Sequence, residues 1–455
     1  MVQRIRRSDI DDTEPTTDSG GYGFPARLWR MLAEHPPPGF ARARRWRSPL
    51  RGPWLTSVFG SVLLVTMPIV ILTGLLSYIA YGPRLGQAIP ADVGRLELPT
   101  FDWPANPPWL YRLTQGLHVG LGLILIPVVL AKLWSVIPRL FVWPPVRSIA
   151  QLLERISLLM LVGGILFEIV TGVLNIQYDY IFGFSFYAAH YFGAWVFITG
   201  FVMHVAVKSR RMWAGLRSLS LRDVLRTARA DTEAQAWRPD GLVAADPDPA
   251  TMSRRGALAL VGGGALFLAF ITAGQTLGGC TRRAAVLLPR GRRPGDGPNG
   301  FEVNRTAAAA GISAGDTSEG WRLTLNGGRR PVTLDRAALL AMPQHTAVLP
   351  IACVEGWSTT QTWTGVRLAD LARLAGVPAP ESARVSSLER SGAFAAASLQ
   401  RNQVLHPDAL LALRVNGTDL SPDHGFPARI IVPALPGVHN TKWVAAIAFR
   451  TGPRA

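Results

Sequence analysis

The run Ile-Ala-Cys-Val-Glu-Gly-Trp-Ser occupies positions 351–358 and contains Cys353, one of only two cysteines among 455 residues. A lone thiol of this kind is either an inert core residue or a metal ligand and reaction centre, unless Cys280 is its disulfide partner. Two cysteines exclude a disulfide-rich scaffold and a zinc finger. The role of Cys353 therefore decides the function of the region around it.

Upstream of this run the chain is dominated by apolar segments. Apolar residues make up 48% of the sequence and charged residues 17%, a balance shifted toward membrane proteins. Five segments have about the 20 residues that a helix needs to cross a bilayer. These predicted spans are 55–79, 109–137, 156–176, 186–207 and 257–277.

Positive charge is concentrated in two segments between the predicted spans. Residues 1–53 carry ten arginines and 208–255 carry ten lysines or arginines, whereas 175–186 carries none. Because positive loops stay in the cytoplasm, the N-terminus is expected on the cytoplasmic side of the cytoplasmic (inner) membrane. Five crossings then place 281–455 outside it. The net charge of +17 is thereby explained by topology, and we expect no nucleic-acid partner.

Three histidines fall within the predicted spans, where ionisable groups are functional candidates. His118 lies in the second span, and His190 and His204 lie in the fourth. Spans two and four run in the same direction, so His118 and His190, both in the outer half, could ligate one haem b. Polar contacts between helices are the alternative.

His204 follows His190 by 14 residues, which places it on the same helix face roughly 21 Å deeper. The matching position in span two is Lys132, so a second haem is not completed. His204 is therefore a possible haem ligand, a helix contact or part of a quinone pocket. Glu168, in span three, is expected to relay protons for a quinone or to pair with an arginine. Small residues expected to admit a flat macrocycle near the histidines are Gly116, Gly120, Gly122 and Gly193.

Paired arginines, Arg254 and Arg255, precede the fifth span. Two stop-transfer arginines are the simple interpretation. The pair is also similar to a twin-arginine export signal, here internal and uncleaved, which would make the twin-arginine translocase a partner during export. Cys280, at the outer end of this span, is expected to be a plain interfacial cysteine.

From residue 301 the composition is that of a soluble domain, after an Arg-, Gly- and Pro-rich linker. Short β-type runs alternate with short helical stretches, which predicts an α+β domain. The predicted strands are 321–325, 347–352, 429–433 and 443–449, and the predicted helices are 335–341 and 368–375.

Two separated motifs in this region resemble the molybdenum-cofactor domain of the sulfite oxidase superfamily. The first is 353–358, followed by Trp-Thr-Gly-Val at 363–366 and Leu-Ala-Asp-Leu at 368–371. The second is Asp-His-Gly-Phe-Pro-Ala-Arg at 423–429, followed by Val432-Pro433 and Lys442-Trp443. The form Cys-Val-Glu-x-Trp-Ser is most similar to the catalytic subunit of bacterial periplasmic methionine sulfoxide reductases.

The resemblance implies that Cys353 supplies a thiolate to molybdenum, a soft ligand suited to a heavy, redox-active metal. It also implies that Arg429 and Lys442 meet the phosphate of the pterin, Arg429 bidentately. The other positions at which relatives contact the cofactor are Asn304, Arg305, Ser387, His424, Asn440 and Thr441.

The predicted organisation is a five-span α-helical membrane bundle followed by an α+β molybdopterin domain. Its segments are a basic cytoplasmic tail (1–53), a four-helix cytochrome b-like membrane domain (54–208), a cytoplasmic linker (209–255), the fifth span (256–278), a second linker (279–300) and a molybdopterin-binding oxidoreductase domain (301–455).

These features predict a membrane-anchored oxidoreductase that contains molybdenum-molybdopterin and haem b. It would exchange electrons between the quinone pool and a small-molecule or protein-bound oxidised substrate outside the membrane, with sulfoxide-type reduction favoured. Two alternatives stay open. One is a sulfite-oxidase-like dehydrogenase that passes electrons to the electron-transport chain, and the other is a non-catalytic transmembrane electron relay.

Overall fold

The computed structural model describes residues 46–82, 101–141, 148–176, 184, 186–237, 242–287, 295–390, 392 and 394–452. The basic tail up to residue 45 and residues 288–294 of the Arg-rich linker lie outside the described residues. Within these ranges the N-terminal part is helical. Its helices are α1 (Pro53–Tyr81), α2 (Leu110–Ile124), α3 (Ile126–Leu140), α4 (Ile149–Asn175), α5 (Phe186–Leu216), α6 (Leu221–Arg226) and α7 (Arg254–Leu277).

Four helices in the described residues, α1, α4, α5 and α7, are long and apolar enough to cross a membrane. Helices α2 and α3 form a further candidate span that is bent by 40°, so the segment predicted as the second span consists of two helices. Pro127 explains the break, because it lies in the first turn of α3 and proline cannot continue the hydrogen bonding of the preceding helix.

Small residues bring α4 and α5 into close contact. A Cβ at Gly164 would lie 2.9 Å from Cα of Phe197, and a Cβ at Gly200 would lie 2.6 Å from the backbone nitrogen of Leu161. Helices in apolar surroundings associate through such small-residue surfaces. This contact fixes α5, the helix of His190 and His204, against α4, the helix of Glu168.

In the described residues of the C-terminal part, the structure has two sheets and three short α-helices. The helices are α8 (Arg336–Ala341), α9 (Leu368–Leu374) and α10 (Arg401–Val404). The strands are β1 (Leu323–Asn326), β2 (Val332–Leu334), β3 (His345–Ala352), β4 (Ser358–Arg367), β5 (Ser382–Ser387), β6 (Ala396–Gln400), β7 (Leu410–Val415), β8 (Thr418–Asp419), β9 (Arg429–Ile431) and β10 (Val444–Arg450).

The first sheet has the order β2-β1-β10-β5-β6, and the second has the order β3-β4-β7-β8 with β9 paired to β7. Strands β1 and β10 are parallel, and the other pairs in both sheets are antiparallel. The mixed helix and strand architecture agrees with the prediction. Its importance for function is that β3 and β4 form a hairpin whose turn carries Cys353.

The C-terminal domain rests on one end of the helical bundle. Ala80 of α1 and Tyr111 of α2 belong to the same apolar core as Leu323 and Leu411. Trp103, shortly before α2, also contacts the domain, since its Nε1 donates a hydrogen bond of 2.7 Å to the carbonyl of Ala434. The two parts therefore share buried apolar surface as well as hydrogen bonds.

Candidate functional site

Cys353 lies in the tight turn between β3 and β4. Its backbone N–H donates to the carbonyl of Trp357 at 2.9 Å, and the N–H of Gly356 donates to the carbonyl of Cys353 at 3.1 Å. Gly356 has φ of +92°, a conformation that glycine adopts without steric cost. Both cysteines are reduced thiols, Cys280 exposed and Cys353 half-buried, so the disulfide alternative is wrong.

The thiol of Cys353 opens on a small pocket that gathers several predicted residues. Asn304, His424 and Arg429 line it together with Cys353. These residues come from three separate parts of the chain, and the fold brings them to one place. The pocket is also lined by residues that were not predicted to contact the cofactor, namely Phe301, Glu302, Ile351, Val354, Trp357, Gly437 and Val438.

Buried polar atoms near this pocket lack partners within the described part of the chain. They are Nδ1 of His424, Nε of Arg429, Nδ2 of Asn440 and Oγ1 of Thr441, and each of these residues is at most 3% exposed. An unsatisfied buried polar group costs about 1–3 kcal/mol. A pterin cofactor with many hydrogen-bonding edges and a phosphate fits this set of atoms, because it could satisfy them.

The electrostatics near the pocket favour an anion. Burial, with the nearby cations Arg429 and Lys442, lowers the pKa of His424 to about 3, so this imidazole is neutral at pH 7. Its Nε2 faces the carbonyl of Pro298 at 2.9 Å, which makes Nε2 the donor and Nδ1 an acceptor. Burial lowers the pKa of Arg429 to about 9, and the guanidinium is still charged at neutral pH.

Three further predicted residues form a network beside the pocket. Lys442 Nζ donates to the backbone carbonyls of Arg305 at 2.8 Å and Asp423 at 2.7 Å. Ser387 Oγ donates to the carbonyl of Lys442 at 2.8 Å, and Arg305 pairs with Glu389 at 2.6 Å. These side chains are outside the lining of the Cys353 pocket, and their contacts with a cofactor stay predictions.

Sequence reasoning missed a buried ion pair at the pocket. Arg282 pairs with Glu302, and both side chains are at most 5% exposed. Arg282 also donates a 2.9 Å hydrogen bond to the carbonyl of Ser358. Burial raises the pKa of Glu302 against the opposing effect of Arg282. The sequence placed Arg282 in a linker, and nothing in the linker's composition distinguishes it from the neighbouring arginines.

A second site lies in the helical bundle, where His118 and His190 line one cavity of about 220 Å³. Their ring centres are 6.2 Å apart and the ring planes meet at 86°. His118 Nδ1 lies 3.0 Å from the carbonyl of Val70. His190 Nδ1 lies 3.0 Å from Oγ1 of Thr171 and 3.0 Å from Oε2 of Glu168. All three contacts use Nδ1, and none of them involves Nε2 of either histidine.

The surroundings of the histidine pair differ in part from the prediction. Glu168 contacts His190 rather than an arginine. Gly116 contacts Thr276 of α7, and Gly193 contacts Glu168 and Phe167, so both allow helices to pack rather than admit a macrocycle. A Cβ built at Gly120 would have no described atom within 4 Å, and Gly122 lines the cavity.

Two other glycines, which the sequence did not indicate, adjoin the histidines. A Cβ at Gly74 would lie 2.7 Å from Cε1 of His118, and a Cβ at Gly172 would lie 3.7 Å from Cε1 of His190. His204 is not among the residues that line this cavity. Lys132, the residue at the matching depth, donates through Nζ to the carbonyl of Thr56 at 2.7 Å.

Comparison with known proteins establishes the class of the C-terminal domain. Residues 310–455 match the family model described as oxidoreductase molybdopterin binding domain. They therefore form a molybdopterin-binding domain of the sulfite oxidase family, which is a class of molybdenum-dependent oxidoreductases. The predicted cofactor class of this domain is confirmed.

Several curated proteins are similar to part of the chain. Mitochondrial sulfite oxidase of Drosophila melanogaster is 32% identical over 28% of this chain and 27% of its own length. The uncharacterized oxidoreductase YuiH of Bacillus subtilis is 35% identical over 26% of this chain and 59% of its own. The putative protein-methionine-sulfoxide reductase subunit YedZ1 of Azospira oryzae is 33% identical over 25% and 42%. The chain thus spans less than two thirds of each of these relatives.

A crystal structure of the sulfane dehydrogenase SoxCD from Paracoccus pantotrophus is 26% identical over 29% of this chain and 38% of that chain, with a TM-score of 0.27. Because that score is low, the class of the domain rests on the sequence matches.

Proposed function

We propose that the chain is a membrane-anchored molybdenum enzyme that exchanges electrons between a quinone pool and an extracytoplasmic substrate through one haem b. The observation that carries the proposal is the position of the Cys353 turn. The residue after Cys353, Val354, lines the same cavity as His118 and His190. A metal on Cys353 would therefore lie beside a group held by the two histidines.

The histidine pair fits a haem in three respects. Two imidazoles that bind one metal from opposite sides have ring centres about 6 Å apart, because each ligating nitrogen lies about 2 Å from the metal. The second ring nitrogen of a metal-ligating histidine usually forms a hydrogen bond with a carbonyl or a carboxylate. Nδ1 of His118 lies against the carbonyl of Val70 in this way, and Nδ1 of His190 lies against the carboxyl group of Glu168. Gly74 and Gly172 provide close backbone approach beside the rings.

The residues of the C-terminal pocket fit the molybdenum cofactor. Cys353 would hold the metal, and Arg429 would hold the phosphate of the pterin. Asn304, His424, Asn440 and Thr441 would orient the pterin edges. When bound, the cofactor supplies two-electron oxo-transfer chemistry, and the protein orients it and connects it to electrons.

The paired arginines have partners in the folded chain. Arg254 donates to the carbonyl of Glu233 at 2.6 Å, and Arg255 donates to the carbonyl of Leu225 at 2.9 Å. Recognition by the twin-arginine translocase, which we retain as part of the proposal, would therefore precede folding of these segments. The bundle would place its N-terminus in the cytoplasm and the C-terminal domain outside.

Sulfoxide-type reduction is the direction we favour, because the Cys-Val-Glu-x-Trp-Ser form and the relative named as a putative protein-methionine-sulfoxide reductase subunit both support it. The relatives named sulfite oxidase support the reverse direction, in which electrons from a sulfite-like substrate pass through the enzyme to the quinone pool.

The test follows the haem absorption of membranes that contain the full chain. If the enzyme is a reductase, haem reduced by a quinol is reoxidised when methionine sulfoxide is added, and Cys353→Ser abolishes that reoxidation. Reduction of oxidised haem by sulfite would instead establish the reverse direction. Haem that is reduced by quinol and responds to neither compound would favour an electron relay without turnover.

A further inference from the structure

The turn that carries Cys353 is hydrogen-bonded to the helix that carries His118. Gln115 lies three residues before His118 in α2, and its Nε2 donates to the carbonyl of Val354 at 2.5 Å. The other end of its amide accepts a 2.7 Å hydrogen bond from Oγ of Ser77. Gln115 is 3% exposed, so this contact is shielded from water and its geometry is fixed at both ends.

A second contact joins the same turn to the same helix. Val119 follows His118, and a Cβ built at Gly356 would lie 2.9 Å from Cβ of Val119. Residues on both sides of His118 therefore touch the turn of Cys353. A bonded route consequently runs from Cys353 to Val354, across one hydrogen bond to Gln115, and along one turn of helix to His118.

We infer that Gln115 is a positioning residue for electron exchange, because its hydrogen bond to Val354 couples the metal site of Cys353 to the haem site of His118. This inference rests on the proposed function and deepens it. In each transfer toward substrate, a haem held by His118 and His190 would lose one electron, and a molybdenum held by Cys353 would gain it. Two such transfers supply the electron pair that a sulfoxide reduction consumes.

The alternative role for Gln115 is simple docking of the two domains. The chain offers a matched control for that role on a different helix. Thr276 of α7 donates through Oγ1 to the carbonyl of Gly356 at 3.0 Å and accepts at its own carbonyl from Oγ of Ser358 at 2.8 Å. Helix α7 carries none of the predicted haem ligands, and Thr276 meets α2 only by packing against Gly116. Thr276 therefore holds the same turn without forming a hydrogen bond between that turn and the helix of His118.

The experiment measures electron exchange between the two centres without substrate turnover. In the purified, cofactor-loaded full chain, the haem is reduced by a laser flash with a deazaflavin donor. The decay of the reduced haem band then reports the electron leaving for molybdenum, and electron paramagnetic resonance reports its arrival. We expect Gln115→Leu to slow this intramolecular phase by about tenfold, which corresponds to about 1.4 kcal/mol in the activation free energy. Thr276→Val should keep the wild-type rate.

Haem spectrum and molybdenum content, measured on the same samples, show that both variants fold and load. With both cofactors present, an unchanged rate in Gln115→Leu would overturn the inference and leave the proposed function intact. Equal slowing by Thr276→Val would also overturn it, because docking alone would then explain the effect. Absence of haem or molybdenum from the wild-type chain would instead overturn the proposed function, and the inference with it.

Discussion

His190 Nδ1 lies 3.0 Å from Oε2 of Glu168, a contact between two neighbouring helices inside the bundle. The contact determines which nitrogen of His190 is left for a metal. It also places a carboxylate on the opposite side of the ring from the proposed iron, an arrangement that raises the basicity of a ligating imidazole. The geometry of the histidine pair thus includes an outer-shell partner on each ring.

Replacement of either proposed axial ligand should remove the haem. We expect His118→Ala or His190→Ala to abolish the Soret and α bands of membranes that contain the full chain, because a bis-histidine haem loses half of its protein ligation. His204→Ala is the matched control, since His204 is outside the cavity. Full haem content in His118→Ala, at equal protein level, would exclude the ligand assignment.

Loss of the carboxylate beside His190 should change the redox potential rather than the haem content. Glu168→Gln keeps the shape of the side chain and can still accept from His190. Removal of a negative charge near the iron favours the reduced state, so we expect a higher midpoint potential in a spectroscopic redox titration. The same midpoint as wild type would mean that Glu168 is not ionised beside the haem.

Gly356 should be intolerant of any side chain. Its φ of +92° costs other residues about 1–2 kcal/mol, and a Cβ would crowd Val119. We expect Gly356→Ala to lower the apparent free energy of unfolding in detergent by about 1–2 kcal/mol or more. Gly320→Ala is the control, because among the described atoms its Cβ would meet only Oγ of Ser318, at 3.6 Å. Equal effects of the two substitutions would contradict the close contact.

The buried His424 should make the cofactor-free protein less stable in acid. Its pKa falls from 6.5 in a model peptide to about 3 in the fold, so the unfolded chain takes up a proton first as pH falls. The contribution of neutral His424 to the free energy of unfolding is therefore complete above about pH 6.5 and decreases as the pH falls toward 3. Between pH 7 and pH 5 the loss amounts to about 2 kcal/mol.

The measurement is chemical unfolding of the cofactor-free full chain at pH 7 and pH 5, for wild type and His424→Gln. The substitution removes the titrating group, so the variant should lose less stability than wild type over this range by about 2 kcal/mol. Parallel decreases in the two proteins would show that His424 is not held neutral by its burial.

The sequence was sufficient to predict elements that depend on local pattern. Apolar segments of span length predicted the long helices, and alternating runs predicted four of the strands. The pairing of His118 with His190 followed from span direction and depth. The meeting of Cys353 with His424 and Arg429 followed from a family resemblance, since these residues are more than 70 positions apart.

Features that depend on which helix face meets which neighbour were not predictable in this way. Gly116 and Gly193 were expected near a macrocycle, but the rotation of their helices turns them toward Thr276 and Glu168. The pair of Arg282 with Glu302 joins two residues of a segment without periodicity, so no pattern indicated it. The bond from Gln115 to Val354 requires the relative position of two domains, which no local rule supplies.

The central claim is that one chain holds molybdenum on Cys353 and haem between His118 and His190. The most direct test is quantitation of molybdenum and haem in the same preparation of the purified full chain. Approximately one of each per chain is the predicted result, with haem retained and the molybdenum signal altered in Cys353→Ser. A wild-type chain that contains haem but no molybdenum, or molybdenum but no haem, would contradict it.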